Sequence, residues 1–127
     1  MMETVSKFAA IAFGGAFGAI ARYLLNTILA KILAPFPFAT FFINITGSFL
    51  IGFLAIVFTE KLTESENWRL FLMVGFLGAY TTFSTFELET FELLREKQLL
   101  TAFFYVSASF IVGLVGVFSG FWLGKKI

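Results

Sequence analysis

The chain alternates long apolar stretches with short polar ones. Apolar residues dominate from about Val5 to Leu33, Phe38 to Thr59, Trp68 to Leu94 and Leu100 to Leu123. A bilayer crossing takes about 20 mostly apolar residues, so each stretch predicts one membrane-spanning helix. Between the first two lies APFPFAT, where Pro35 and Pro37 remove backbone donors and predict a turn. The polar segment EKLTESENWR, with residues suited to capping, parts the second and third spans, and REKQ parts the last pair. No connection is long enough to hold a soluble domain, which predicts an all-α, four-helix transmembrane domain over residues 1–127. The N-terminal stretch reads as the first span and not as a cleaved leader, since it lacks a convincing cleavage site and runs on too far. Repeats and low-complexity tracts are not evident.

Composition narrows the function classes. Hydrophobic residues make up 59% of the 127 and charged residues 13%, too few to cover a soluble surface. Cysteine and histidine are both absent. Thiol nucleophiles, disulfides, imidazole bases and the usual zinc ligands go with them, and the chain does not read as an enzyme. A net charge of +1 provides no basic footprint for nucleic acid. Four spans put both termini on one side, with Lys7, Lys61, Arg69, Lys125 and Lys126, against Lys31, Arg95 and Lys97 on the other. Orientation follows the lysine and arginine excess, which here is small. Either the chain inserts one way with its termini inside, or copies insert both ways and pair antiparallel. Charge balance alone leans towards the first.

Several polar or small residues stand out against this background. Gly14 and Gly18 in the first span are spaced to share a helix face, as are Tyr105, Ser109, Gly113, Gly116, Gly120 and Gly124 in the fourth. Small residues let helices approach closely in lipid, so the glycines predict packing seams. Tyr105 and Ser109, at the head of the second stripe, could equally present hydroxyls to a pore. Most of the 20 phenylalanines must face lipid or fill gaps. Arg22 lies deep in the first span, at a cost of about 2.5–3.5 kcal/mol or more. A helix carboxyl end or a loop carbonyl would be its structural partner. Asn44, between FFI and ITG, suits an interhelical clasp or a functional donor equally well. Glu87 and Glu89 lie late in the third span, beyond the weak stretch described next and nearer to water, and suit a solvated helix end.

The strangest stretch is GFLGAYTTFSTFELE, Gly75 to Glu89. Glycine costs about 1 kcal/mol in a helix and β-branched threonine is mildly unfavourable, so Gly78, Thr81, Thr82 and Thr85 predict a fragile third helix. In lipid a break persists only where freed carbonyls find a partner or line a cavity, and such breaks bind ions in transporters. Threonine hydroxyls can also bond back to the helix and heal a mere kink. The two readings are evenly matched on these residues alone.

GGAFGAIARY (Gly14 to Tyr23), NITGSFLIG (Asn44 to Gly52) and GAYTTFSTFELE (Gly78 to Glu89) together resemble the small fluoride channels of the Fluc, or CrcB, type. The resemblance covers essentially the whole chain, and TTFSTF is its most specific motif. It implies a fluoride-selective passive channel that exports fluoride across a bacterial inner membrane. It also implies an antiparallel, dual-topology homodimer embedded in membrane lipid, with two pores, each lined by both subunits. A structural sodium ion on the twofold axis would be held by the backbone carbonyls of Gly78 and Thr81 of each chain, in keeping with the preference of hard cations for oxygen. Phe83 and Phe86 would turn their electropositive ring edges towards the pore. Asn44 would donate an amide N–H to fluoride. Thr40, Ser84, Tyr105 and Ser109 resemble a polar track on the opposite wall, Glu89 a nearby carboxylate, and Arg22 a vestibule residue. Gly113 departs from the pattern where a second serine might continue the track.

Two other functions compete. A small dual-topology drug or cation exporter shares the size, the spans and the near-balanced charge, but needs a titratable carboxylate deep in a span. The first span has an arginine there and no acid. A non-conducting membrane subunit would use the polar residues only as helix clasps.

Overall fold

The computed structural model of the protein describes residues 1–33 and 35–127, and is helical throughout apart from short connections. Helix α1 runs over Met2–Leu33 and α2 over Phe38–Ile56, continued by a π-helical turn, Val57–Lys61. The third span is composite. It comprises α3 (Glu66–Arg69), a π-helical stretch (Leu70–Leu77), α4 (Gly78–Tyr80) and α5 (Phe83–Arg95). Helix α6 runs over Leu99–Lys126. Four of the resulting segments, Met2–Ile32, Phe38–Lys61, Glu66–Arg95 and Leu99–Lys126, are long and apolar enough to cross a membrane. The predicted spans are thus found, with helix extending a few residues further at most ends.

The connections are tighter than the sequence suggests. Of the predicted APFPFAT turn, Ala34 lies outside the described residues, and Pro35 to Pro37 are non-helical before α2 begins. Much of EKLTESENWR is helical too. The Leu62 N–H donates to the Val57 carbonyl at 2.9 Å, an i to i+5 bond that extends the second span by a π turn. The expected capping is not made by a side chain: Ser65 precedes α3 without a side-chain cap bond. The nearby polar contacts tie the chain's start to this loop instead. Lys7 lies 3.0 Å from both Glu3 and Glu66, and Asn67 donates to the Ser6 hydroxyl at 2.8 Å.

Glycine seams set the packing, as the spacing predicts. A Cβ on Gly14 or Gly18 would strike the carbonyls of Phe71 or Phe76, so α1 lies directly on the backbone of the third span. Gly75 makes the reciprocal approach, against the Ile11 carbonyl and Gly14. On the other side, Gly120 faces the Phe49 carbonyl, Gly124 faces Ile56, and Gly52 of α2 faces the Val117 carbonyl. In a solvent of acyl chains, such close van der Waals contact replaces the hydrophobic effect in holding helices together. Two small cores result. Ile43, Leu77 and Tyr80 are buried in one, and Leu93, Ala102 and Tyr105 in the other. Rings such as those of Phe13, Phe17, Phe110 and Phe118 are exposed on the outside.

Candidate functional site

The third span is broken, and the break falls at two threonines. Gly78 is helical, with φ −61° and ψ −33°. The chain becomes extended only at Thr81 (φ −78°, ψ 157°) and Thr82 (φ −150°, ψ 115°). On the near side of the break, the Leu77 carbonyl accepts both the Thr81 N–H at 3.0 Å and the Thr81 hydroxyl at 2.9 Å. Hydroxyl back-bonding therefore occurs, yet it ends the helix here and does not heal it. On the far side, Thr82 caps α5: its Oγ1 accepts the Thr85 N–H at 3.2 Å and its hydroxyl donates to Thr85 Oγ1 at 3.0 Å.

Asn44 holds the extended pair from across the bundle. Its Oδ1 accepts the Thr82 N–H at 2.8 Å, and its Nδ2 donates to the Thr82 carbonyl at 3.0 Å. A side-chain amide thereby makes the two bonds that a neighbouring strand would make. The clasp weighed from sequence is present, and the second N–H of the amide is left over. The redirected donors also explain what the break exposes. In an α-helix the carbonyl of residue i takes the N–H of residue i+4. The Gly78 carbonyl would take the Thr82 N–H, and the Thr81 carbonyl the Thr85 N–H, but both are engaged elsewhere. These two oxygens fit a hard cation such as sodium, which asks for oxygen donors and tolerates neutral ones. Among the described residues no cluster of three acidic, His or Cys side chains offers an alternative metal site.

The break opens onto a cavity of about 640 Å³ lined by Asn44, Ser48, Gly78, Thr81, Phe83, Phe86 and Ser109, among others. The Phe83 and Phe86 ring centroids lie 6.0 Å apart, on one side of α5. Phe83 is 73% exposed in the single chain. The Ser109 Oγ is buried and, among the described residues, has no hydrogen-bond partner. Ser84 is exposed, 3.5 Å from the Thr82 hydroxyl.

The remaining residues form two further groups. The Thr40 hydroxyl donates to Glu89 Oε1 at 2.7 Å and the Tyr105 hydroxyl to Oε2 at 2.6 Å. Both donors are almost wholly buried. The solvated helix end expected for Glu87 and Glu89 thus holds only for Glu87, which is exposed. Glu89 faces inwards because α5 turns it towards α2 and α6, where two hydroxyls satisfy the carboxylate. The Phe86 ring, 5.1 Å from that of Tyr105, separates this triad from the larger cavity. Arg22 borders a second cavity of about 180 Å³ with Asn26, Thr40, Thr82 and Thr85. The ion pairs among the described residues all involve Lys7, so no carboxylate neutralises Arg22 there.

The model of the CrcB-like protein family, described as Camphor Resistance (CrcB), matches residues 9–121. The chain belongs to this family. Together with four helices able to cross a membrane, membership makes this CrcB-like chain an integral, multi-pass membrane protein. It is 44% identical over 118 residues to the fluoride-specific ion channel FluC of a Hydrogenobaculum species, covering 93% of this chain and 97% of the relative. It is also 44% identical over 119 residues to fluoride-specific ion channel FluC 1 of Listeria monocytogenes, with the same coverage of each. Fluoride-specific ion channel FluC 2 of Bacillus thuringiensis is 47% identical over 115 residues, covering 90% of this chain and 93% of the relative.

Some features of this CrcB-like site escape a reading of sequence. Tyr80 stacks on Phe76 with centroids 5.6 Å apart, and its hydroxyl lies 2.8 Å from that of Thr46, which fixes the segment leading into the break. Ser48 also lines the large cavity. The helical offset of four from Asn44 to Ser48 was the available signal for the latter. Nothing in the spacing links Thr46 to Tyr80.

Proposed function

We propose that the protein is a passive, fluoride-selective channel, and that it exports fluoride as an antiparallel homodimer with two pores. The observation that carries the reading is the identity of 44% over 93% of the chain to a protein named as a fluoride-specific ion channel. The geometry agrees with it. The cavity at the break is bordered by an amide with an unused N–H, a buried hydroxyl with no partner among the described residues, and two phenylalanine rings. All of these can offer positive edges or donor hydrogens to an anion without a fixed cation in its path. That matters for conduction, because an ion must leave as readily as it enters.

Fluoride is small and strongly hydrated, so its water must be replaced by close donors. Asn44 and Ser109 supply such donors on one wall, and the rims of Phe83 and Phe86 supply weaker ones on the other. Ser84, Thr40, Tyr105 and Glu89 extend the polar lining beyond the rings, and Arg22 raises the local anion concentration at a vestibule. Phe83, 73% exposed in a single chain, is free to face a second subunit. A sodium ion bound by the Gly78 and Thr81 carbonyls of both subunits would join them at the break and balance the exposed oxygens. The charge difference between the two ends leans towards one orientation but is small enough to permit insertion in both.

Efflux from liposomes loaded with fluoride or chloride tests the reading. Purified protein is expected to release fluoride rapidly, without a proton gradient, and chloride very little. Proton-coupled cation uptake would instead identify an exporter, and absence of any flux a structural subunit.

A further inference from the structure

Packing does not require every glycine of the α6 seam, and Gly113 has the most room beside it. A Cβ on Gly120 would run into the Phe49 carbonyl, and one on Gly124 into Ile56. A Cβ on Gly113 would meet only Ile45 Cδ1 and Ser48 Oγ, each at 3.6 Å, an ordinary contact. The space beside this buried glycine is therefore bounded by the Ser48 hydroxyl. Ser48 stands one helical turn beyond Asn44 on α2, and Gly113 one turn beyond Ser109 on α6. Asn44, Ser48 and Ser109 all line the same cavity. Ser109 is the second pointer to a ligand, since its buried Oγ has no partner among the described residues. A donor left unpaired in such a place is costly unless an acceptor visits it.

We propose that Ser48 is a further ion-binding residue of the pore. Its hydroxyl on α2 and that of Ser109 on α6 donate together to the permeating anion, and Gly113 keeps the gap between them open. The inference rests on the fluoride reading above. The ligand class follows from the donors: two neutral O–H groups favour a small anion of high charge density, which gains most from short hydrogen bonds. A serine from α2 thus does from one side what a serine at position 113 would do from the other.

Fluoride efflux from liposomes, measured for the parent protein, Ser48→Ala, Gly113→Ser and the double variant, tests the proposal. Dimer elution and thermal unfolding are measured on the same samples. A hydrogen bond to an ion is worth about a tenfold change or more in an equilibrium or a rate, so Ser48→Ala is expected to lose about tenfold in flux with unaltered elution and melting. Adding Gly113→Ser to Ser48→Ala is expected to restore most of that loss, because the new hydroxyl enters the same gap without a clash. A conducting parent beside an equally conducting Ser48→Ala overturns the role of Ser48 alone. So does a Ser48→Ala defect that Gly113→Ser does not repair in a folded double variant. A parent without fluoride flux sinks the channel reading, and this inference with it.

Discussion

Replacing Asn44 by leucine tests the break most directly. The substitution keeps the branching at Cγ, with a somewhat larger side chain, and removes both hydrogen bonds to the Thr82 backbone, at 2.8 and 3.0 Å. Thr82 is only 9% exposed, so its N–H and carbonyl cannot turn to water. Each buried group left unpaired costs about 1–3 kcal/mol, giving about 2–6 kcal/mol for the two. The added apolar surface of leucine returns about 1 kcal/mol. The net loss is about 1–5 kcal/mol unless the chain relieves it. The available relief is for the Thr82 N–H to return to the Gly78 carbonyl, which would close the break and withdraw an oxygen from the proposed sodium site. Thermal unfolding in detergent and fluoride efflux distinguish these outcomes. Asn44→Leu is expected to lower the melting temperature by about 4 °C or more, at about 1 kcal/mol per such step, or to hold it while flux disappears. A variant with the parent's melting temperature and the parent's flux would refute the claim that this clasp maintains the break.

Four further outcomes follow from the geometry. Phe83→Ile should abolish or greatly weaken fluoride efflux while leaving a folded dimer by size-exclusion chromatography, since a ring 73% exposed in the subunit adds little to its own core. Asn44→Asp should impair permeation at neutral pH, because it replaces the unused N–H with an acceptor and puts a negative charge in the anion's path; unchanged efflux would remove Asn44 from the pore wall. Gly120→Val should destabilise the fold by about 1–3 kcal/mol or more in a denaturation series, as its side chain meets the Phe49 backbone and not a movable side chain. Exchanging sodium for a bulky organic cation during purification should lower the melting temperature of the dimer and reduce its flux, and indifference to that exchange would argue against the carbonyl-bound sodium.

The four helices and their seams were legible because both rest on local pattern. Apolar length marks the spans, and a glycine every three or four residues marks a face that another backbone can approach. The location of the break was less legible. Of the residues that weaken the helix, Thr81 and Thr82 are where it breaks, but Gly78 is helical and Thr85 lies inside α5; Gly75 is helical too, and small because α1 lies against it. What fixes the break at Thr81 and Thr82 is an amide 38 residues away on another helix, which no local propensity encodes. Glu89 was hidden for the same reason. Its two donors, Thr40 and Tyr105, come from different spans, and only the fold separates its fate from that of Glu87. Family resemblance supplied those residues without the contacts that explain them.

The interruption at Thr81 and Thr82 has an electrical side as well. Helix α5 starts there, so the positive pole of its macrodipole, about half an elementary charge, falls at the cavity. The electronegative end of the segment before it falls within a residue or two of the same point. One discontinuity in the peptide chain thus presents opposite partial charges back to back, one favouring cations and the other anions. Because peptide groups carry this polarity, it survives any side-chain replacement that leaves the discontinuity in place.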